Sequence, residues 1–266
     1  MTVLTPAPPA LVLPADKPVK PTPEPCPVCR EVVLFPFVRD DDTYGRRIWM
    51  HCECGTLFQV AGQKPIPPED RSETYTKHWI RDTQWFNDRS NWLKRVYLPL
   101  VEDMIQGRKV LEARYIHHIS LDHFRERGWV TYGLDECKAA VPGDHPHAEQ
   151  TIMDWKPKVP FLKFDLVWMA DTIQSYEHPF PVLAKAYSLL EHHGLMFVSA
   201  PETDFLHRVG PRDFGHFHPA ANRIMLRGET FAKMAERVGF HTMLLRKSAS
   251  RAGMVWDQFH WIGIRK

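Results

Sequence analysis

Residues 109–135 read KVLEARYIHHISLDHFRERGWVTYGLD. Val110 and Leu111 end a short apolar run suited to a strand buried on both faces. Leu121 and Phe124 follow at helical spacing, and Gly128 stands where a helix C-terminus favours glycine. Trp129, Val130, Tyr132 and Leu134 make a second strand, closed by Asp135. Strand, turn, helix and strand in this order predict a βαβ unit with its ligand crevice at the carboxyl ends of the strands. An acid at the end of the second strand is placed to accept hydrogen bonds from ribose hydroxyls.

With these residues in view, the chain resembles the class I S-adenosylmethionine-dependent methyltransferases. That family has a strand ending in an acid, a G-x-G-x-G turn, a helix, and a second strand ending in an acid. Laid on the pattern without gaps, Glu112 takes the first acidic place and Asp135 the ribose acid, while Arg114, Ile116 and His118 occupy the three glycine places. In the family those glycines let the backbone approach the methionine part of the cofactor, which a Cβ hinders. Two readings of the turn stay open: Arg114 as an anion contact within a retained cofactor site, or a site refilled by side chains.

The resemblance continues through residues 164–204, FDLVWMADTIQSYEHPFPVLAKAYSLLEHHGLMFVSAPETD. It implies the family's fourth strand from Asp165 through Met169 and a helix with Pro179 and Pro181 near its start, where proline is tolerated. Val182, Leu183, Ala186, Leu189 and Leu190 give that helix an apolar face. Gly194 is expected to end it, with His192 and His193 at its C-terminus and the fifth strand running from Leu195 to Ser199. Many relatives carry Glu-His after the fourth strand, beside the substrate; Gln174 and Ser175 stand there instead. Asp154 falls where the family often holds an acid near the adenine, and also reads as an ordinary loop acid. Residues 214–240 resemble a family segment of His and aromatic residues followed by a helix, expected from Glu229 to Val238 and closed by Gly239. Residues 241–247 and 257–264 read as a final antiparallel pair. The implied fold is α/β: a Rossmann-like, mostly parallel sheet with an antiparallel last strand.

Cys26-Pro-Val-Cys29 is followed by Cys52-Glu-Cys54-Gly55. Two close cysteine pairs around a hairpin-length segment have the form of a zinc ribbon, in which each turn offers two thiolates to a tetrahedral ion. Val32 to Phe37 and Ile48 to Met50 would be its two strands, with a polar turn from Asp40 to Gly45. A hairpin of this size cannot bury a core of its own, so structural Zn2+ is expected to hold it. The second pair is C-x-C, and His51 is a substitute ligand. Reduced thiols without metal, or a disulfide, are the alternatives; Cys137 reads as a small buried residue.

Four regions result. Residues 1–25, with eight prolines, read as an extended arm suited to lie on its own domain, on a protein partner or on a second copy of the chain. Residues 26–60 form the ribbon, 61–107 a linker and aromatic helical cap that includes Trp79, Trp85, Phe86, Trp92 and Tyr97, and 108–266 the methyltransferase-like domain. With 34 basic and 32 acidic residues there is no overall pull toward nucleic acid, and no segment approaches the length of a membrane span, so no membrane partner is expected. Nothing in the arm has the form of a signal peptide, which gives a cytoplasmic expectation, or a place in a particle assembled there.

Among 15 histidines, His216 and His218 matter most, because related methyltransferases place this segment near the substrate opening; they are the candidate general bases. Two functions fit the sequence. One is an active methyltransferase using Glu112, Arg114, Asp135 and Asp154 toward S-adenosylmethionine. The other is a domain of that fold without turnover, serving through its ribbon and arm as a binding or structural component of a larger assembly, such as a virus particle.

Overall fold

The computed structural model describes residues 24–33, 36–41, 45–60, 83–113, 119–134, 147–148, 150–205, 222–248 and 258–266. Five short strands come first: β1 (Glu24–Pro25), β2 (Val32–Val33), β3 (Pro36–Asp41), β4 (Gly45–His51) and β5 (Leu57–Gln59). Helix α1 (Thr83–Met104) leads into β6 (Lys109–Ala113), α2 (Ile119–Glu126), β7 (Val130–Leu134) and β8 (His147–Ala148). Then come β9 (Phe164–Ala170), α3 (Pro179–Leu189), β10 (Leu190–Pro201), β11 (Ile224–Met225), α4 (Gly228–Val238), β12 (Phe240–Ser248) and β13 (Gln258–Arg265).

The main sheet has seven strands in the order β12-β13-β10-β9-β6-β7-β8. Strands β8, β7, β6, β9 and β10 are mutually parallel, and β13 is antiparallel to both β10 and β12. This is the expected mostly parallel sheet with one antiparallel strand. Alternation along each strand divides the core between two faces. Val110, Leu166, Trp168, Leu195, Phe197 and Ile262 pack with Tyr97, Leu98 and Val101 of α1 and with Leu121 and Phe124 of α2. Leu111, Ala113, Val167, Met169, Met196 and Val198 pack on the opposite side with Val182, Leu183 and Ala186 of α3 and Phe231 and Ala235 of α4. Trp168 and Phe197 stack on adjacent strands with centroids 3.8 Å apart.

The helix ends follow local chemistry. After α2, Gly128 adopts φ +82°, and its N–H donates to the Arg125 carbonyl. Pro179 occupies the first turn of α3. Helix α4 stops at Gly239, whose φ of +119° is left-handed and whose N–H returns to the Glu236 carbonyl. The C-terminal end of α1 is fixed by Glu102, which accepts from Arg127 Nε at 2.9 Å and Trp129 Nε1 at 3.0 Å, tying the helix to the α2–β7 turn.

Three expectations change. Helix α3 ends at Leu189, not at Gly194, because Leu190 already pairs with Phe164 and the segment to Leu195 forms an irregularity within β10. His192 and His193 therefore lie in that bulge rather than at a helix end, and His193 takes a positive φ of 64°. The ribbon, expected as a two-stranded hairpin, belongs to a four-stranded sheet of order β11-β5-β4-β3. Its third strand β5 recruits β11 from the segment before α4, pairing Phe58 with Ile224 and Leu57 with Met225.

The N-terminal arm, except for residues 24 and 25 in β1, lies outside the described residues, as do residues 61–82 of the linker.

Candidate functional site

After β6 the chain crosses to β7 through α2 on one face, and after β9 it turns into α3 on the other. The sheet's topological switch point lies between β6 and β9, and in open α/β sheets the crevice outside such a point is where ligands bind. Glu112 sits at that end of β6, only 6% exposed, in register with Gly133 on β7 and Trp168 on β9. One residue on, the Ala113 carbonyl accepts from Thr172 Oγ1 at 3.2 Å, and the same hydroxyl reaches the Ala170 carbonyl at 2.9 Å. Thr172 thus ties the ends of β6 and β9 together across the switch point.

The turn after β9 carries strain and an unmet polar group. Asp171 adopts a left-handed φ of 51°, donates its N–H to the Ser199 carbonyl at 2.9 Å, and accepts from Gln258 Nε2 at 2.6 Å. Gln174 begins in the place of the family's Glu. It is 5% exposed, and its Oε1 has no hydrogen-bond partner among the described residues. Its backbone carbonyl accepts from Arg223 N at 2.7 Å, which brings the segment before β11 onto this turn. The sequence marks Gln174 only as a departure from the family's Glu and does not point to Thr172; the strand-end position is the available signal.

Asp154 lies in an exposed turn, where its carboxylate accepts from Thr151 Oγ1 at 2.7 Å. Arg114, Ile116, His118 and Asp135, and the candidate bases His216 and His218, lie outside the described residues, as does Cys137.

The cysteines converge. The Sγ atoms of Cys26, Cys29, Cys52 and Cys54 all lie within 4.8 Å of one another. Cys26 Sγ is 3.8 Å from Cys54 Sγ, and Cys29 Sγ is 3.4 Å from Cys52 Sγ. A zinc ion with four thiolates at about 2.3 Å in a tetrahedron separates its sulfurs by about 3.8 Å, so the cluster has the dimensions for that ion. No two of these four cysteines form a disulfide. His51 lies on β4 outside the group. The hydrogen bond with Cys26 pulls the Cys54 thiol down to about 4, while the same contact and burial push Cys26 up. Burial pushes Cys52 up to about 12. One thiolate is already favoured, and a divalent cation would supply the compensation needed to deprotonate the rest.

The ribbon is built into the larger domain. Cys26, Val28, Met50, Cys52 and Phe58 belong to the same buried cluster as the α3–α4 face of the main sheet. Thr203 Oγ1 donates to the Gly55 carbonyl at 2.7 Å, and Thr230 Oγ1 donates to the Cys54 carbonyl. Gly55 takes φ +85°, and a Cβ there would meet Arg227 Nε at 2.9 Å. Arg227 in turn pairs with Asp204 at 2.7 Å.

Behind this contact, Glu202 is fully buried, with Oε1 accepting from Asp204 N and Oε2 from Gly228 N at the start of α4. Burial raises its pKa against those two hydrogen bonds. Glu202, Asp204 and Glu229 come together, and Lys247 Nζ lies 3.3, 2.5 and 2.7 Å from their respective oxygens. An internal ammonium therefore serves this acidic group.

The sequence matches the model of the family described as "Methyltransferase domain" over residues 85–244, more than half of the chain. The protein belongs to this methyltransferase-domain family, and its sheet is the S-adenosylmethionine-dependent methyltransferase fold. Among solved structures, it is similar to a SAM-dependent methyltransferase from Archaeoglobus fulgidus: TM-score 0.55, 14% identity, covering 71% of this chain and 100% of the other. It also resembles the Burkholderia thailandensis 1,6-didemethyltoxoflavin-N1-methyltransferase, with TM-score 0.51, 13% identity, and 86% and 98% of the two chains covered. A third is the magnesium protoporphyrin IX methyltransferase of Synechocystis PCC 6803, with TM-score 0.51, 18% identity, and 74% and 93% covered. At these identities the likeness is one of fold. No curated protein matches the sequence.

Proposed function

We propose that the protein binds S-adenosylmethionine at the β6–β9 switch point and transfers its methyl group to an acceptor not yet identified, with structural zinc in the cysteine cluster. The observation that carries this reading is Glu112, a carboxylate kept at the end of the central strand and nearly removed from solvent. A buried acid there suits the cationic amino group of the cofactor's methionine part. When bound, the cofactor supplies an electrophilic methyl group on a sulfonium. Glu112 would hold the amino group, Asp135 the ribose hydroxyls and Asp154 the adenine end, with Arg114 contacting the carboxylate. Gln174 would offer its buried Oε1 to an acceptor N–H or O–H near the transfer point. His216 or His218 would take the acceptor's proton, if it must be removed, while the crevice fixes donor and nucleophile in line.

Zinc in the ribbon would be structural. With four thiolates it leaves no open position for substrate. The spacing of the sulfurs supports this role, and the reduced thiols fit a reducing compartment such as the cytoplasm.

The second reading is a domain of this fold without turnover, acting in a larger assembly through the ribbon and the N-terminal arm. It is favoured by Arg114, Ile116 and His118 at the three glycine places. Titration with S-adenosylmethionine and S-adenosylhomocysteine separates the two at the level of binding, and zinc content by elemental analysis tests the ribbon.

A further inference from the structure

The loop between Trp155 and β9 reads KPKVPFLK over residues 156–163. It folds as a tight turn in which Leu162 N donates to the Val159 carbonyl at 3.3 Å. Pro160 holds the second position, and Phe161 the third with φ +62°. A proline followed by a positive φ is the pattern of a type II turn, whose third position is suited to glycine or asparagine. A phenylalanine there carries backbone strain. Its ring is also 94% exposed, and Val159 beside it is 60% exposed. Neither local conformation nor core packing gains from this side chain; glycine would relieve the strain and remove apolar surface from water.

The surroundings give the tip a charge. Lys156 and Lys158 are exposed on the same loop, and Lys163 closes it, with its Nζ on the Ser188 carbonyl. Lys109 Nζ reaches the Lys163 carbonyl at 3.3 Å, adding a further cation at this edge. Asp165, which accepts from Lys109 N, and Asp154, which accepts from Thr151, keep their charge, and the four lysines outnumber them. The loop enters the amino end of β9, so it faces away from the crevice at the carboxyl ends of the strands, and docking here leaves that crevice open.

We propose that this loop docks the protein onto an anionic lipid surface, with Val159 and Phe161 entering the acyl boundary and the lysines contacting the headgroups. An exposed apolar tip with exposed lysines on the same loop matches a layered partner, apolar below and negative above. No described helix is long and apolar enough to cross a membrane, so the attachment is peripheral.

The test is co-sedimentation of the full chain with vesicles of phosphatidylcholine, with and without phosphatidylserine. Binding is expected only to the phosphatidylserine vesicles, and it should weaken with added salt. Phe161→Gly should weaken binding about tenfold or more while raising the melting temperature. The double change Lys156→Glu and Lys158→Glu should abolish binding. Absence of binding to either vesicle, or unchanged binding by Phe161→Gly, would overturn the proposal. So would retention on duplex DNA without vesicle binding, which would point to a nucleic acid instead.

Discussion

Thr203 Oγ1 donates to the Gly55 carbonyl across 2.7 Å, joining the end of a central strand to the second cysteine turn of the ribbon. This contact, with Thr230 on the Cys54 carbonyl and β11 paired to β5, makes the ribbon an integral layer of the domain. A metal bound at the cysteines would thereby be coupled to the stability of the domain.

Cys52→Ser should abolish zinc binding and destabilise the protein by about 3 kcal/mol or more. Because the ribbon's apolar residues share the core of the α3–α4 face, unfolding should remain one transition, and a chelator should lower it in near-ultraviolet and far-ultraviolet circular dichroism alike. Separate transitions for the two signals would show that the ribbon unfolds on its own.

Thr203→Val keeps the shape but strands the Gly55 carbonyl at a buried contact. The expected cost is about 1–3 kcal/mol in denaturant unfolding, with zinc content retained. A change within error would mean that water replaces the hydroxyl.

Glu102 predicts an acid limb in the stability profile. Its hydrogen bond with Arg127 holds the carboxyl below the ordinary value of 4.5, against the opposing effect of burial. The folded state therefore binds the proton more weakly than the unfolded state. This contribution is fully present above about pH 4.5 and is lost as pH falls through the depressed folded value. Glu102→Gln should flatten that limb and cost about 1 kcal/mol at neutral pH. Urea unfolding between neutral and acid pH checks both.

Gly239→Ala should destabilise by about 1–2 kcal/mol, since its φ is left-handed and the new Cβ would meet the Tyr187 ring at 3.2 Å. Thermal unfolding tests it, with Gly128→Ala as the comparison: also left-handed, but with nothing within 4 Å of the added carbon. The Gly239 change should be the larger.

Much of the fold was legible because its signals are local. The runs around Val110, Leu166 and Phe197 are apolar enough to be buried strands, and Gly128 and Gly239 mark their helix ends. The cysteine spacing likewise announced the cluster. What sequence missed depends on distant partners. Strand β11 is two residues long and has no periodic signature; it exists because β5 offers it an edge. The helix before β10 stops short of Gly194 because Leu190 is taken by pairing with Phe164. Thr172 and Thr203 gain their roles from carbonyls 59 and 148 residues away, a relation no spacing rule reaches. Glu112 was legible from its strand-end position, while its burial required the sheet around it.

If Arg114, Ile116 and His118 narrow the cofactor pocket, changing all three to Gly should strengthen binding of S-adenosylhomocysteine. An unchanged affinity would count against side chains filling that turn.

The most direct test of the account is calorimetric titration of the zinc-loaded chain with S-adenosylmethionine and S-adenosylhomocysteine, repeated with Glu112→Gln. The account predicts micromolar binding that weakens by about tenfold or more when the Glu112 charge is removed. No heat of binding up to millimolar ligand would contradict it and leave the fold serving the ribbon and its partners.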